Sequence, residues 1–413
     1  MKKAILLLTA SLLFIMMSCS SDEGGSRSET ASNSGIGLFD STGGGFGGSS
    51  GGVSGSDPTG GSGDPDGGTG GEPGESPGLI TAGEWNDLDT WDFWKTLNEK
   101  EEFSGKASYW DFYTSNRISV ELRNNDNPVI DADLVLSKDG ESVWEARTDN
   151  FGKAELWIRL FEEGSSPDMS AYDLTVNGIT TNTSLNLYDQ GVNVINVSAI
   201  GSRTNHIDLA FIVDATGSMG DELEFLKSDL NDVIQKVESN NTNLEISTGS
   251  VFYRDEGDDY VVRTSGFSSN LNNTVGFISI QRAEGGGDYP EAVHSGLDEA
   301  VNNLQWSEEA KARIAFLILD APPHHTADVI ANMQNSIKTA AAKGIKVIPV
   351  TASGIDKDTE FLMRFFSIST NGTYVFITDD SGIGGEHLEP SIGEFEVEFL
   401  NDLMVRLINK YTE

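Results

Sequence analysis

The sequence predicts an α/β domain with a doubly wound, mainly parallel sheet, preceded by a small all-β sandwich and a flexible tether. The first observation is that apolar runs of strand length alternate with helical apolar patterns throughout residues 205–413. The second is that residues 116–200 contain short alternating runs separated by turn signals. The third is that residues 24–78 consist mainly of Gly, Ser, Asp and Pro, with almost nothing apolar.

The first residues have the pattern of an export signal. Lys2 and Lys3 precede an uncharged apolar run from Ala4 to Met17, so residues 1–18 are interpreted as a signal peptide. This run is shorter than the roughly 20 apolar residues that a transmembrane helix needs. No later stretch of the sequence reaches that length.

Cys19 is the only cysteine, so no intramolecular disulfide is possible. It ends Met16-Met17-Ser18-Cys19, which resembles the lipobox of bacterial lipoproteins and implies a diacylglycerol on the cysteine thiol. The alternative is a plain signal peptide with an incidental cysteine. The next residues, Ser20-Ser21-Asp22-Glu23, resemble the acidic stretch that directs lipoproteins of the Bacteroidetes group to the cell surface. Together these resemblances imply a lipid-anchored, surface-exposed protein of the bacterial outer membrane.

Two segments separate the signal from the first predicted domain. Residues 19–78 cannot bury enough apolar surface to offset ordering entropy, and we interpret them as a tether about 40 Å from end to end. Residues 79–115 are rich in tryptophan, which predicts a short helical segment packed against the next domain, with a carbohydrate-stacking platform as the alternative. The tryptophans of this segment are Trp85, Trp91, Trp94 and Trp110.

The charge of the chain limits its partners. It has 65 acidic and 27 basic residues and a net charge of -38. This balance argues against nucleic-acid binding and against attraction to anionic lipid, whereas divalent cations and basic partners remain compatible. Most of the acidic residues are expected only to keep the protein soluble.

Residues 116–200 are predicted to form an antiparallel β-sandwich. Alternating apolar residues such as Ile118-Ser119-Val120-Glu121-Leu122 are separated by turn signals such as Asp139-Gly140. The segment Thr148-Asp149-Asn150-Phe151-Gly152-Lys153-Ala154 resembles the small Ig-like modules related to carboxypeptidase regulatory domains. That resemblance implies a spacing or stiffening role.

Residues 205–413 alternate predicted strands and helices, which indicates a mainly parallel sheet covered on both faces. The predicted strands are Ile207–Val213, Ile246–Tyr253, Tyr260–Phe267, Ile314–Leu319, Ile345–Val350 and Tyr374–Ile377. The predicted helices are Leu223–Val237, Ala292–Leu304, Val329–Ala342, Asp358–Ser367 and Glu396–Tyr411.

The loop after the first of these strands carries a candidate metal site. It reads Asp214-Ala215-Thr216-Gly217-Ser218-Met219-Gly220, and ligands of open α/β sheets bind beyond the carboxyl ends of the strands. One carboxylate and two hydroxyls at alternate positions, on a loop bent by Gly217, can converge on a hard cation. We therefore predict that Asp214, Thr216 and Ser218 bind a divalent cation. The alternative is that Asp214 only caps the following helix.

Asp-x-Thr-Gly-Ser after a hydrophobic strand resembles the metal-ion-dependent adhesion site of von Willebrand factor A domains, and the order of strands and helices in residues 205–413 also agrees with that family. The resemblance implies a Rossmann-like fold and one Mg²⁺ or Ca²⁺ with an open position for an outside ligand. It also implies two further loops. One of them matches Ile318-Leu319-Asp320-Ala321-Pro322, in which Asp320 would hold a metal-bound water.

The remaining loop departs from the adhesion pattern, which normally offers a threonine. Here the sequence is Gly285-Gly286-Gly287-Asp288-Tyr289-Pro290-Glu291, which resembles the Gly-Gly-x-Asp-x-Pro-Glu loop of a bacterial and alpha-kinase-associated branch of the family. Asp288 is the candidate for the threonine's place. An added carboxylate would weaken the attraction of the cation for an acidic partner. It would also make calcium more plausible relative to magnesium.

Two other polar clusters have competing interpretations. His324 and His325 follow Asp320 closely and could belong to a zinc site. Adjacent histidines tend to point apart, however, so we do not expect zinc to bind here. The acidic residues Asp255, Glu256, Asp258 and Asp259 are interpreted as a solvated turn rather than a second calcium site.

The expected function is non-enzymatic binding at the cell surface. The cation would bridge the edge of the sheet to an extracellular protein or glycan, while the lipid on Cys19 attaches the chain to the membrane. One alternative is a structural component of the cell envelope whose site is vestigial or purely stabilising. A metal-dependent hydrolase is the other.

Overall fold

The structure is a computed structural model that describes residues 76–198 and 204–413. Its strands are β1 Thr81–Trp85, β2 Arg117–Asn124, β3 Asn127–Pro128, β4 Asp133–Lys138, β5 Glu141–Arg147, β6 Lys153–Trp157, β7 Tyr172–Val176, β8 Ile179–Thr180, β9 Asn193–Asn196, β10 His206–Asp214, β11 Glu245–Tyr253, β12 Val262–Ser268, β13 Ala312–Leu319, β14 Ile345–Thr351, β15 Tyr374–Ile377 and β16 Glu398–Phe399. Its α-helices are α1 Trp91–Asn98, α2 Lys106–Trp110, α3 Leu223–Asn240, α4 Leu271–Ser279, α5 Val293–Asp298, α6 Ala327–Lys343, α7 Lys357–Ser369 and α8 Leu400–Thr412.

The larger sheet has the strand order β12-β11-β10-β13-β14-β15-β1-β16. Its centre is parallel, since β10 pairs in parallel with β11 and β13, and β14 pairs in parallel with β13 and β15. The edge strand β12 pairs antiparallel with β11, and β1 pairs antiparallel with both β15 and β16. The buried central strands are almost wholly apolar, as strands covered on both faces should be. The predicted mainly parallel sheet is confirmed.

Helices cover both faces of this sheet. The side chains of β10 alternate between two apolar cores, because successive residues of a strand point to opposite faces. Ile207, Leu209 and Phe211 pack in the core beneath α3 and α8. Ala210 and Ile212 pack in the other core, which α5, α6 and α7 cover. The carboxyl ends of the parallel strands are thereby held on a two-sided apolar scaffold.

The tryptophan-rich segment contributes directly to the larger sheet. Strand β1 lies between β15 and β16, so the sheet is completed by residues that precede the β-rich module. Trp94 and Trp110 are buried in the apolar core, which confirms packing rather than an exposed stacking platform. The predicted boundary at residue 205 therefore omits a strand of the same sheet, because β1 pairs with a strand almost 300 residues away in the sequence.

Residues 116–198 form two four-stranded sheets. One has the order β3-β2-β6 with β9 paired to β2, and the other has the order β5-β4-β7-β8. Ile118, Val120 and Leu122 are buried on β2, and Leu134 and Leu136 are buried on β4. The predicted all-β unit is confirmed.

Buried polar contacts join this β-module to the end of the larger sheet where strands β13 and β14 begin. Arg313, at the start of β13, pairs with Asp131, with 2.8 Å between Nη1 and Oδ1. Lys346, at the start of β14, lies 3.5 Å from Asp149, measured from Nζ to Oδ2. The module is thus attached at the end of the sheet opposite to the loops that follow the strands.

Some predicted elements differ in extent. The predicted helix Ala292–Leu304 is shorter, since α5 ends at Asp298 and a wider turn follows over Glu299–Asn303. Helix α4 was not predicted. The predicted signal peptide, Cys19 and nearly all of the predicted tether lie outside the described residues.

Candidate metal centre

The first loop places three predicted ligands together. Asp214 ends β10 and its side chain is fully buried. Thr216 donates its backbone N–H and its hydroxyl to Asp214 Oδ1, at 2.9 Å and 2.7 Å. Ser218 Oγ lies 3.1 Å from Thr216 Oγ1. One carboxylate and two hydroxyl oxygens are therefore neighbours at the carboxyl edge of the sheet, as predicted.

One carboxylate oxygen of Asp214 is left without a hydrogen-bond partner in the part of the chain that the structure describes. Asp214 Oδ2 is buried and has no hydrogen-bond partner among the described residues. Burial raises the pKa of Asp214 to about 6, although the hydrogen bonds from Thr216 act in the opposite direction. A buried carboxylate oxygen without a hydrogen-bond donor is a chemically suitable ligand for a hard cation.

The third loop adds a second carboxylate from the neighbouring strand. Asp320 directly follows β13, which pairs in parallel with β10, so its side chain reaches the same edge as Asp214. It is 5% exposed, and its Oδ1 is another buried oxygen without a partner. Burial and, next to it, the nearby negative charge of Asp214 together raise the pKa of Asp320 to about 7.

The second loop lies against the first. Gly217 donates its N–H to Gly285 O at 3.1 Å. Asp288, the residue that the sequence suggested as a ligand, is exposed and lines the cleft from its rim. The structure thus groups Asp214, Thr216, Ser218 and Asp320, and places Asp288 farther out.

Glu291 is the acidic residue of this loop that faces inward, and the sequence analysis did not select it. It is 3% exposed, and its Oε2 has no hydrogen-bond partner in the described part of the chain. Burial, together with the negative charges of Asp214, Asp255 and Asp320, raises the pKa of Glu291 to about 9. Its position at the end of the glycine-rich loop, just before the buried residues that begin helix α5, is the sequence feature that could have identified it.

A cleft of about 470 Å³ opens over these residues. Its lining includes Ser218, Asp288, Glu291 and Asp320, so the hydroxyl and carboxylate groups border one space. Tyr289 stands at the mouth and donates its hydroxyl to Gly354 O at 3.1 Å. The cleft gives an outside group access to the edge of the sheet.

The donor set fits a hard divalent cation, since all the candidate ligand atoms are oxygens. Within residues 76–198 and 204–413, no three His, Cys, Asp or Glu side chains are grouped closely enough to hold an ion by themselves. Hydroxyl groups and water would therefore have to complete the coordination. This mixed set agrees with the preference of Mg²⁺ and Ca²⁺ for carboxylate, hydroxyl and water oxygens.

The neighbouring histidines contact different partners. His324 Nε2 lies 2.7 Å from Asp255 Oδ1. His325 stacks on Tyr109, with 3.8 Å between ring centroids, and donates to the carbonyl oxygen of that residue. The two rings therefore point apart, as the sequence analysis expected.

The acidic loop after β11 is bound to the second loop. Asp258 Oδ2 accepts a hydrogen bond from Gly286 N at 2.8 Å and another from Asp255 N at 3.1 Å. This contact supports the backbone of the glycine-rich loop.

In the part of the chain that the structure describes, no helix is both long and apolar enough to cross a membrane.

Comparisons with known proteins address the same region. Residues 208–382 match the family described as von Willebrand factor A domain. An ariadne-like RING finger protein of Acanthamoeba polyphaga mimivirus is 36% identical over 137 residues, which are 32% of this chain and 13% of that protein. An alpha-protein kinase of Dictyostelium discoideum is 28% identical over 191 residues, which are 46% of this chain and 30% of the kinase. The chain thus spans less than a third of either relative's length.

Two solved structures are also similar in part. The open conformation of a pilus adhesin from Lactobacillus rhamnosus GG has a TM-score of 0.35 and 12% identity, with 51% of this chain and 30% of that chain covered. An aerotolerance-related membrane protein from Bacteroides fragilis has a TM-score of 0.31 and 14% identity, with 50% of this chain and 98% of that chain covered. The sequence match and the doubly wound sheet together show that residues 208–382 of this chain form a von Willebrand factor A domain.

Proposed function

We propose that this chain is a lipid-anchored cell-surface protein that binds an extracellular protein or glycan through a divalent cation. Asp214, Thr216, Ser218 and Asp320 would hold the ion. The observation that carries the proposal is the pair of buried, unpartnered carboxylate oxygens, Asp214 Oδ2 and Asp320 Oδ1, beside two hydroxyls at the carboxyl edge of the sheet. When bound, Mg²⁺ or Ca²⁺ supplies an open coordination position for an oxygen of the partner.

The energetics of burial support this assignment. Carboxylates removed from water without a paired charge are costly, and folded proteins usually place a cation or donor beside them. Buried Glu155 is an example in this chain, since its Oε2 lies 2.7 Å from Arg117 Nε. Asp214 and Asp320 have no such partner among the described residues, and a divalent cation would provide the missing charge.

The surroundings of the site suit binding by contact with a partner. The cleft over the ligands is bordered by Asp288 and Tyr289, both of which are exposed. The β-module is attached at the far end of the sheet and leaves this edge uncovered in the described residues. A lipid on Cys19 would attach the protein to the bacterial outer membrane. We propose a binding role and no catalytic one.

A capture experiment tests the proposal. The full-length protein is used to capture partners from a cell-surface extract, with and without a chelator, alongside the variants Asp214→Ala and Asp259→Ala. Asp259 is an exposed acidic residue of a nearby loop and serves as the charge-matched control. Capture should require the cation, fail for Asp214→Ala and persist for Asp259→Ala. Equal capture by Asp214→Ala, or by chelated wild type, would refute the proposal.

Titration calorimetry separates the metal from the partner. Wild type should give heat on addition of Ca²⁺ or Mg²⁺, and Asp214→Ala should give none while retaining its circular dichroism spectrum. Binding of metal without any metal-dependent capture would indicate a stabilising site in a structural component of the envelope. The absence of heat with wild type would overturn the metal site itself.

A further inference from the structure

We propose that Glu291, rather than Asp288, is the carboxylate that the second loop supplies to the cation. This inference rests on the metal site of the proposed function. Both residues belong to the same glycine-rich loop and are separated by only Tyr289 and Pro290. Their positions differ sharply, because Glu291 is buried and Asp288 is exposed.

The first argument is that Glu291 lacks the partner that other buried glutamates have. Glu155 pairs with Arg117, and Glu360 pairs with Arg364 at 3.0 Å between Oε1 and Nη1. Glu222 accepts a hydrogen bond from Ser353 N at 3.1 Å and lies 3.1 Å from His387 Nε2. Glu291 Oε2 has no hydrogen-bond partner within the described residues. Glu222 Oε2 and Asp229 Oδ2 are also unpartnered, but the other oxygen of each of these carboxylates accepts a hydrogen bond.

The second argument is that the loop makes room for the carboxylate. A Cβ atom on Gly286 would lie 2.8 Å from Glu291 Oε1 and 3.4 Å from Thr216 Cβ. The bare backbone of Gly286 therefore fits between the carboxylate and the threonine of the first loop. Its φ of +71° also favours glycine. The absence of a side chain here allows the Glu291 carboxylate to approach the predicted ligands.

The third argument is that Glu291 is held in place by the loop that carries Asp320. Its backbone N–H donates to Pro322 O at 2.9 Å, and Glu291 forms an isolated parallel bridge with Pro323. This contact joins the second loop to the third within a few residues of Asp320. Glu291 and Asp320 therefore lie on two loops that are bonded directly to each other, whereas Asp288 is an exposed residue of the cleft lining.

This assignment gives Glu291 and Asp288 different roles. Glu291 would neutralise the cation from inside through a bound water, beside Asp214 and Asp320, because no three acidic side chains of the described residues are close enough together to bind one ion directly. Asp288 would remain free to contact the partner. A site with three carboxylates keeps a negative charge after binding one divalent ion, so its open position suits a neutral oxygen ligand better than a carboxylate.

The test compares Glu291→Gln with Asp288→Asn in the full-length chain. Each substitution removes one negative charge and nearly preserves the shape of the side chain. Binding of Ca²⁺ is measured by titration calorimetry, and thermal unfolding is followed in EDTA and in excess Ca²⁺. Glu291→Gln should reduce Ca²⁺ affinity roughly tenfold or more, as loss of metal-site residues commonly does. Asp288→Asn should bind Ca²⁺ nearly as tightly as wild type does, because Asp288 is exposed in the lining of the cleft.

Thermal unfolding distinguishes a ligand from a merely structural residue. In EDTA, Glu291→Gln should unfold at about the same temperature as wild type, because glutamine keeps the shape of the side chain and Glu291 Oε2 has no hydrogen-bond partner to lose in the described residues. In Ca²⁺, its stabilisation should be smaller than that of wild type. A structural glutamate would instead lower the unfolding temperature in both conditions and leave the Ca²⁺-induced increase intact.

The outcomes separate this inference from the proposed function. If wild type binds Ca²⁺ and Glu291→Gln binds it equally well, the assignment of Glu291 is wrong and the metal site stands. It is also wrong if Asp288→Asn loses as much affinity as Glu291→Gln. If wild type binds neither Ca²⁺ nor Mg²⁺, the proposed metal site fails, and the inference fails with it.

Discussion

Thr216 donates two hydrogen bonds to the same oxygen of Asp214. Its N–H and its hydroxyl lie 2.9 Å and 2.7 Å from Asp214 Oδ1, while Asp214 Oδ2 has no partner in the described residues. The Thr216 hydroxyl is also 3.1 Å from Ser218 Oγ. Thr216 therefore fixes the orientation of the carboxylate, directs its other oxygen away from the loop, and offers lone pairs of its own to a cation.

Substitution Thr216→Val tests this double role, because it removes the hydroxyl while preserving the backbone N–H and the side-chain shape. We expect roughly tenfold or greater loss of Ca²⁺ affinity in titration calorimetry. The free energy of unfolding in EDTA should fall by about 1 kcal/mol, since one hydrogen bond is lost. Thr216→Ser keeps the hydroxyl and should bind nearly as wild type. Equal affinities for the valine and serine variants would contradict a ligand role for this hydroxyl.

Asp131 is predicted to be the main electrostatic link between the β-module and the von Willebrand factor A domain. Its Oδ1 lies 2.8 Å from Arg313 Nη1, and the two side chains are only 3% and 4% exposed. Asp131→Asn removes the charge and still tolerates the backbone φ of +56°. It removes the carboxylate that Arg313 shares with Arg147 of the β-module, whose Nε lies 2.6 Å from Asp131 Oδ1, so the free energy of unfolding should fall by about 3 kcal/mol.

Urea denaturation measures this loss, and Asp133→Asn on the adjacent strand is the matched control. Asp133 is half-buried, and no ion pair with Arg313 is present for it in the described residues. Its substitution should therefore cost much less. A loss no larger for Asp131→Asn than for Asp133→Asn would show that the Arg313 pair contributes little to holding the two units together.

The central part of the fold was predictable because its signals are local. Buried strands such as Ala312–Leu319 are continuous apolar runs, and Leu223–Asn240 repeats apolar residues at helical spacing. Strand Thr81–Trp85 carries no such signal, since it is five residues long, contains Gly83 and pairs with a strand near the other end of the chain. Helix Leu271–Ser279 was also missed, because its asparagines and Gly276 have low helix propensity.

The candidate site was likewise predictable only where its sequence signals are local. Asp214, Thr216 and Ser218 lie on one short loop after a buried strand, so their spacing alone predicts that they converge. No such spacing distinguishes Asp288 from Glu291. The backbone of Gly285 and Gly286 has positive φ, at +83° and +71°, and turns the chain in a way that neither strand nor helix periodicity describes. Which carboxylate faces inward depends on that turn and on the contact of Glu291 with Pro322.

Asp229 makes the stability of the folded body depend on pH. It lies on helix α3, is 1% exposed, and accepts a hydrogen bond from Gly78 N at 2.6 Å through Oδ1. Burial raises the pKa of Asp229 from 3.8 to about 6, although the hydrogen bond from Gly78 opposes this. The folded state therefore binds a proton more tightly than the unfolded state at this residue. Its contribution to stability decreases as pH rises from about 4 to about 6.

Asp229→Asn should remove this dependence, because the amide is neutral at every pH and still accepts the Gly78 hydrogen bond through Oδ1. The free energy of unfolding of the variant, relative to wild type, should increase between pH 4 and pH 7 by at most about 3 kcal/mol. Urea denaturation at several pH values measures the difference, with exposed Glu238→Gln on the same helix as the control for loss of one charge. A difference that stays constant over this range would mean that Asp229 titrates alike in the folded and unfolded states. An opposite slope would mean that its hydrogen bond with Gly78 outweighs the effect of burial.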